Sequence, residues 1–286
     1  MQKFEFIANK GDLLTEIKSN CAFLSYNDIK MAMRKKDVLV NGLRQKQTVF
    51  LNGGENVVIY YNQKKSTPVP IIYEDENIII VNKPANMECT IKDKTYLNKP
   101  CLEEIFTPFI AVHRLDMNTS GLMIMAKNET VKNEFISLFK NNCVSKKYYA
   151  VTYGLPPKQS DILQSYANKI NGFVKVFDEN KRDSVSIKTG YEVLQTNGNL
   201  SLLDITLFTG YTHQIRAHLS SIHCFILGDD KYGKKEINNS YNIHRQQLCS
   251  YSLLFNITKP SFLSYLTGKQ FSIPLPFDLN SYTTKQ

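Results

Sequence analysis

Tryptophan is missing from all 286 residues and cysteine is sparse: Cys21, Cys89, Cys101, Cys143, Cys224 and Cys249 stand apart, with no Cys-x-x-Cys pair. That scatter argues against a zinc ribbon or a disulfide-framed secreted domain and fits reduced, buried thiols. No stretch approaches the roughly 18 apolar residues that span a bilayer, and the opening MQKFEFIANKGD lacks the apolar centre and cleavage site of a secretory signal. The expectation is a cytoplasmic protein without membrane contact. A complete phosphate loop, a dinucleotide glycine fingerprint and a Gly-x-Ser-x-Gly elbow are also missing, so the expected chemistry needs no cofactor. His213, His218 and His223 recur every five residues, which puts consecutive rings about 140° apart on a helix and argues against a shared metal. Acidic residues are in deficit, 26 against 35 Lys and Arg, for a net charge of +9, which makes a polyanionic partner plausible.

What is present is enough apolar residue, 42% of the chain, to bury a sizeable core. Residues 1–66 hold 11 Lys and Arg against 6 Asp and Glu, so +5 of the charge sits there, while the remaining 220 residues carry 24 against 20. The segment NQKKSTPVP combines charge, hydroxyls and two prolines and reads as a linker over 63–70, between a domain at 1–62 and a second at 71–286. In the first domain the spacing predicts helices over 12–19 and 27–36, then a hairpin turning at Asn41-Gly42. In the second, NIIIVNKP, FIAVHRL, LMIMAK, KYYAVTY and LSLLDITLF read as strands. Two helices stand out: one over 129–140 behind Asn128 as N-cap, the other over 212–222 with Thr212 as cap. Ile215, Leu219 and Ile222 form the buried stripe of the latter, and His213 and Arg216 fall together on the opposite face. Many strands with few helices in no strict alternation predict an α+β fold with a mixed, largely antiparallel sheet, preceded by a small α/β domain.

The stretch AVHRLDMNTSGLMIMAK sets Asp116 between a strand and a turn at Thr119-Ser120-Gly121. A turn-capping Asp would satisfy that position. Arg114 beside it, and Arg216 in TGYTHQIRAHL, supply the cations that favour an ionised, oriented carboxylate, which a nucleophile or general base requires. A structural salt bridge has the same sequence signature. In CVSKKYYAVTYG, Tyr148 points to one face of its strand and Tyr149 and Tyr153 to the other. Such a ring is either core or a platform for a base, beside Lys146 and Lys147 as partners for phosphates.

Together these residues resemble the RluA-type pseudouridine synthases, whose central motif His-Arg-Leu-Asp-x-x-Thr-Ser-Gly-Leu is matched throughout in HRLDMNTSGL. The resemblance continues in EDENIIIVNKPANM, KKYYAVTYG, TGYTHQIRAHL, HCFILGDDKYG and RQQLCSYSLLF, and so covers residues 70–256. Residues 1–62 resemble the small αL RNA-binding domain, with MRKKDVLVNG as its signature stretch. The resemblance implies isomerisation of uridine to pseudouridine in structured RNA without metal; the appended domain favours ribosomal RNA, with transfer RNA the alternative, and the lack of a long apolar surface helix favours a monomer. It implies Asp116 as catalytic residue, Tyr148 stacked on the uracil, and Arg216 paired with the aspartate. Arg114 is implied to fill the space a flipped base leaves. His113, Thr119, Lys146, His213 and Gln214, with Arg34, Lys35, Lys36 and Arg44 of the first domain, are the expected RNA contacts. Three positions depart from the family pattern: Tyr211 for Arg, Asn86 for Gly and Cys249 for His. A non-catalytic RNA binder of the same fold and a hydrolase built on Asp116 are the competing functions. Only the isomerase releases the hydrogen at uracil C5 without breaking the chain.

Overall fold

Asp12 accepts the backbone N–H groups of Leu14 and Thr15 and starts a helix over Leu13–Asn20, one residue later at each end than the spacing predicts. The chain is seen in a computed structural model that describes residues 2–21, 24, 26–61, 68–91 and 99–284. It divides into two compact units, the smaller running to Pro68 and also taking Lys99 and Pro100, the larger holding the rest from Val69 onward. The linker expected at 63–70 lies, as far as residue 67, outside the described residues.

The smaller unit adds a second helix, Tyr26–Arg34, to that first one. Val38–Val40 and Leu43–Gln45 pair through Asn41 and Gly42, whose φ angles of 46° and 80° are those of the expected tight hairpin turn. The sheet is completed by Asn56–Tyr61 and by Gln2–Ile7, which pairs antiparallel along its whole length with that strand. The core is a single cluster that includes Leu13, Ile17, Ile29, Val38, Val57 and Ile59.

The larger unit is built on one twelve-stranded sheet. From one edge its main path runs Phe173–Phe177, Ser160–Ile170, Val185–Asn197, Leu200–Leu207, Val144–Tyr153, Leu248–Phe255, Ser120–Ala126, Ile78–Lys83 and Ile71–Glu74. Neighbours on that path are antiparallel except Ser120–Ala126 against Leu248–Phe255, which are parallel, as the mixed α+β reading expects. The central strands read as unbroken apolar runs because both faces are covered. Ile79, Val81, Met123 and Met125 enter one cluster together with Ile215 and Leu219 of the helix Gln214–Ser221. Ile78, Ile80, Leu122 and Ile124 enter the other, beneath the helix Glu129–Lys140. That helix starts where predicted, with Asn128 Oδ1 accepting from Val131 N at 3.0 Å.

Three expectations need correction. The strand expected across FIAVHRL is only Ile110–Ala111, because His113 Nε2 accepts the Ile124 N–H at 3.1 Å. A side chain thus takes a ladder position, and the backbone beyond is free to leave the sheet. Ser120 and Gly121 belong to the next strand and not to a turn. Gly121 is required there: at φ 113° an added Cβ would stand 2.1 Å from the Ser250 carbonyl oxygen, across the parallel pairing. The helix cap expected at Thr212 is His213, in a left-handed conformation with φ 53°.

Candidate active site

Asp116 lies in the irregular segment between Ile110–Ala111 and Ser120–Ala126, in a short turn closed by Thr119 N–H donating to its carbonyl at 3.0 Å. Arg216 comes from the helix Gln214–Ser221, and its Nη1 donates to Asp116 Oδ2 at 2.7 Å. His213 precedes that helix, with Nε2 3.9 Å from Asp116 Oδ1. Among the described residues no hydrogen bond reaches Oδ1, so one carboxylate oxygen is anchored and the other is available for chemistry.

Arg216 is nearly enclosed, 6% exposed. Burial works against its charge, but the hydrogen bonds and field of Asp229, joined by Asp116, hold its pKa above the ordinary value. Asp229 grips it bidentately, Oδ2 accepting from Nε at 2.7 Å and Oδ1 from Nη2 at 2.8 Å. The Lys231 and Tyr232 N–H groups also donate to Asp229 Oδ1. Burial pushes Asp229 up, yet the Arg216 bonds prevail and its pKa is lowered. The Arg216 fork therefore points one nitrogen at Asp116 because the other two are fixed behind it. Tyr232 lies under the guanidinium, 5.1 Å from ring centre to Cζ. Its hydroxyl accepts from Val174 N and sits 3.0 Å from His213 Nδ1. Directing its own proton to Nδ1 leaves the imidazole N–H on Nε2, toward Asp116. Burial lowers the His213 pKa against the field of Asp116, which favours that neutral ring.

Asp116, Arg216 and His213 line a cavity of about 580 Å³ whose walls include Tyr148, Arg114, His113, Thr119, Lys146 and Gln214. Tyr148 is 5% exposed, and burial raises its pKa, so the phenol is neutral. Its ring is on the same sheet face as Ile205, while Tyr149 stacks on Tyr251 on the other face at 3.7 Å. The cavity thus holds an anchored carboxylate, a fixed cation and an aromatic wall, which suits a planar base with a reacting carbon beside Oδ1. Among the described residues no three His, Cys, Asp or Glu side chains gather as a metal site.

The remaining expected contacts divide. Arg114 is exposed at the cavity wall. Gln214 is buried, its amide donating to Lys188 O and Thr189 Oγ1 and accepting from Thr209 Oγ1 and Tyr211 N, so its polar atoms are spent on shaping the loop. Thr119 is buried and accepts from Gln246 Nε2. Burial pushes His113 down to about 3, and its Nε2 serves the Ile124 N–H. These three act, as seen here, on protein partners. In the smaller unit Arg34, Lys35, Lys36 and Arg44 are all exposed, and Arg44 Nη1 donates to Lys36 O at 2.9 Å, which draws them into one basic patch.

Sequence reasoning missed two residues. Asp229 is one; its signal was an Asp next to a glycine in HCFILGDDKYG, indistinguishable from a turn residue. Lys83 is the other, completely buried behind a run of Ile and Val. Its ammonium donates to the carbonyls of Pro84, Met87 and Met117, the last adjoining Asp116, and burial pushes its pKa down to about 8. It ties the segment carrying Asp116 to the sheet. Of the three departures, Asn86 stands at φ 65°, a conformation Asn tolerates in place of Gly. Cys249 is buried in the sheet beside Ser120. Tyr211 packs against the cluster of Ala167, Val174, Ile187 and Ala217.

Residues 77–221 match the family model described as RNA pseudouridylate synthase. A ribosomal large subunit pseudouridine synthase C of Rickettsia typhi is 35% identical over 240 residues, covering 75% of this chain and 79% of the relative. The chain belongs to the RNA pseudouridylate synthase family. A second synthase C, of Rickettsia conorii, is 32% identical over 81% of this chain and 86% of its own length. In fold the chain is similar to the human RNA pseudouridylate synthase domain containing 4, with a TM-score of 0.58 at 21% identity over 74% of this chain and 90% of that one. Membership makes the protein an RNA pseudouridine synthase, an isomerase of the RluA type.

Proposed function

We propose that this synthase acts on ribosomal RNA of the large subunit, with Asp116 as its catalytic carboxylate. The names of the Rickettsia relatives support the substrate. The observation that carries the catalytic reading is the Asp116 carboxylate with Oδ2 bound by Arg216 and Oδ1 left open in the cavity that Tyr148 walls.

In this reading the target uridine leaves the RNA stack and its uracil lies against Tyr148. The N1–C1′ bond breaks, and Oδ1 of Asp116 meets the electron-poor centre that results. The uracil turns, C5–C1′ forms, C5 gives up its proton and N1 gains one, so the atoms balance without redox or energy input. Arg216 keeps the carboxylate ionised and aimed throughout, and neutral His213 closes its flank. The smaller unit grips phosphates through Arg34, Lys35, Lys36 and Arg44, as the small αL domain it resembles would. Two measurements test this together. Pseudouridine mapping of ribosomal and transfer RNA from cells with and without the protein should show sites lost from large-subunit RNA. Asp116→Asn, isosteric but uncharged, should bind that RNA and release no tritium from uracil C5. Turnover by pure Asp116→Asn removes the aspartate from the mechanism, and losses confined to transfer RNA overturn the substrate.

A further inference from the structure

Lys146 stands two residues before Tyr148 on the strand Val144–Tyr153 and therefore on the same face, toward the cavity, while Lys147 between them turns away to pair with Asp204 at 2.9 Å. The two neighbours meet opposite fates. Lys147 has a carboxylate; among the described residues none pairs with Lys146. Its ammonium rests 4.8 Å from the Phe139 ring centre, and Gly210 lies beside it, so near that an added Cβ there would stand in contact with Nζ at 3.6 Å; glycine keeps that position clear of a side chain. Burial lowers its pKa, and no acid offsets this. A desolvated cation facing a cavity with no protein anion is unfavourable by itself, whereas the buried Arg216 of the same cavity is held between two carboxylates. The missing partner is an anion that arrives with the substrate.

We propose that Lys146 forms a phosphate subsite, receiving a phosphodiester that flanks the target uridine and so separating a nucleotide held in a chain from a free nucleoside. The inference rests on the reading that the uridine occupies the cavity beside Asp116. Phe139 supports the ammonium on its ring face, Gly210 keeps a side chain from competing for it, and Tyr148 on the same strand fixes the distance from base to phosphate.

The test uses the shortest large-subunit RNA fragment that the wild-type protein converts, with a single uncharged methylphosphonate placed on either side of the target uridine. One of the two substitutions should lower wild-type kcat/KM about tenfold or more, the effect of losing one charge-assisted contact. Lys146→Met should lose the same factor on native RNA and lose nothing further on that methylphosphonate, while Lys146→Arg retains most of the activity. The log-log salt slope of Lys146→Met should also fall by about 0.7 to 0.9. Because the ammonium has no protein anion, Lys146→Met should unfold at the same urea concentration as wild type or higher; a large loss of stability would make Lys146 a structural residue and overturn the proposal. Fully multiplicative losses, or wild type indifferent to both methylphosphonates, overturn it as well. If wild type instead converts no ribosomal RNA, the fault lies with the substrate reading beneath it.

Discussion

Replacing Asp229 by Asn probes whether the aim of Arg216 depends on the carboxylate behind it. Asp229 Oδ2 serves Arg216 Nε, and Oδ1 serves Arg216 Nη2 with the Lys231 and Tyr232 N–H groups, so every partner is a donor. Asn has the same shape but supplies one acceptor and one NH2 group. Whichever way it turns, a donor faces a donor, and the favourable turn keeps Oδ1 and gives up the Nε bond. Losing one charge-assisted bond and the negative charge behind a buried guanidinium costs about 2 kcal/mol of positioning, roughly thirtyfold in kcat. KM should change little, because Asp229 is buried behind Arg216, away from the surface that RNA can reach. Truncation to Ala leaves Arg216 with Asp116 as its nearest remaining partner and should destabilise the fold by about 3 to 5 kcal/mol, as other broken buried pairs do. Tritium release at saturating RNA measures kcat, and urea unfolding measures stability. An Asn variant that folds normally and keeps wild-type kcat would show that Arg216 is aimed without Asp229, and the positioning argument would fail.

Gly121→Ala should unfold the larger unit or cost about 4 kcal/mol or more, since its Cβ would overlap the Ser250 carbonyl at a φ that L residues avoid; a urea midpoint near wild type would mean the parallel pairing yields easily. His113 and His218, pushed by burial to about 3 and about 4, bind protons in the unfolded chain that the fold excludes. Their contribution to stability is complete above about pH 6.5 and is lost as pH falls through it, by about 2 kcal/mol each at about pH 5. His113→Gln should therefore be less sensitive to acid than wild type by about that amount in paired urea titrations. Arg34→Ala with Lys35→Ala should flatten the salt dependence of RNA binding by somewhat under one log-log unit for each charge, with tritium release at saturating RNA unchanged; a fall in the maximal rate would make the smaller unit part of the catalytic assembly.

Local sequence determined what depends on neighbours along the chain. Asn128 opens its helix because its own side chain reaches the N–H three residues on, and Asn41-Gly42 turns because both tolerate positive φ. The alternation of Tyr148 and Tyr149 across the sheet follows from the period of a strand. His213 and Arg216 do lie together, as their spacing implied, although His213 meets Asp116 as the left-handed cap before the helix and not as a residue of it. Other features depended on residues far apart in sequence. The helix of Arg216 is buried on nearly all sides, so its supposedly polar face is an interior one, and Gln214 and His218 serve the fold. Whether Gly121 marks a turn or a close approach was decided by Ser250, more than a hundred residues later. Asp229 and Lys83 read as a turn acid and a strand-end lysine because nothing local requires more of them. Only the tertiary structure removes water from both, and burial makes each charge demand a full set of partners: Arg216 for one, and three carbonyls, one next to Asp116, for the other.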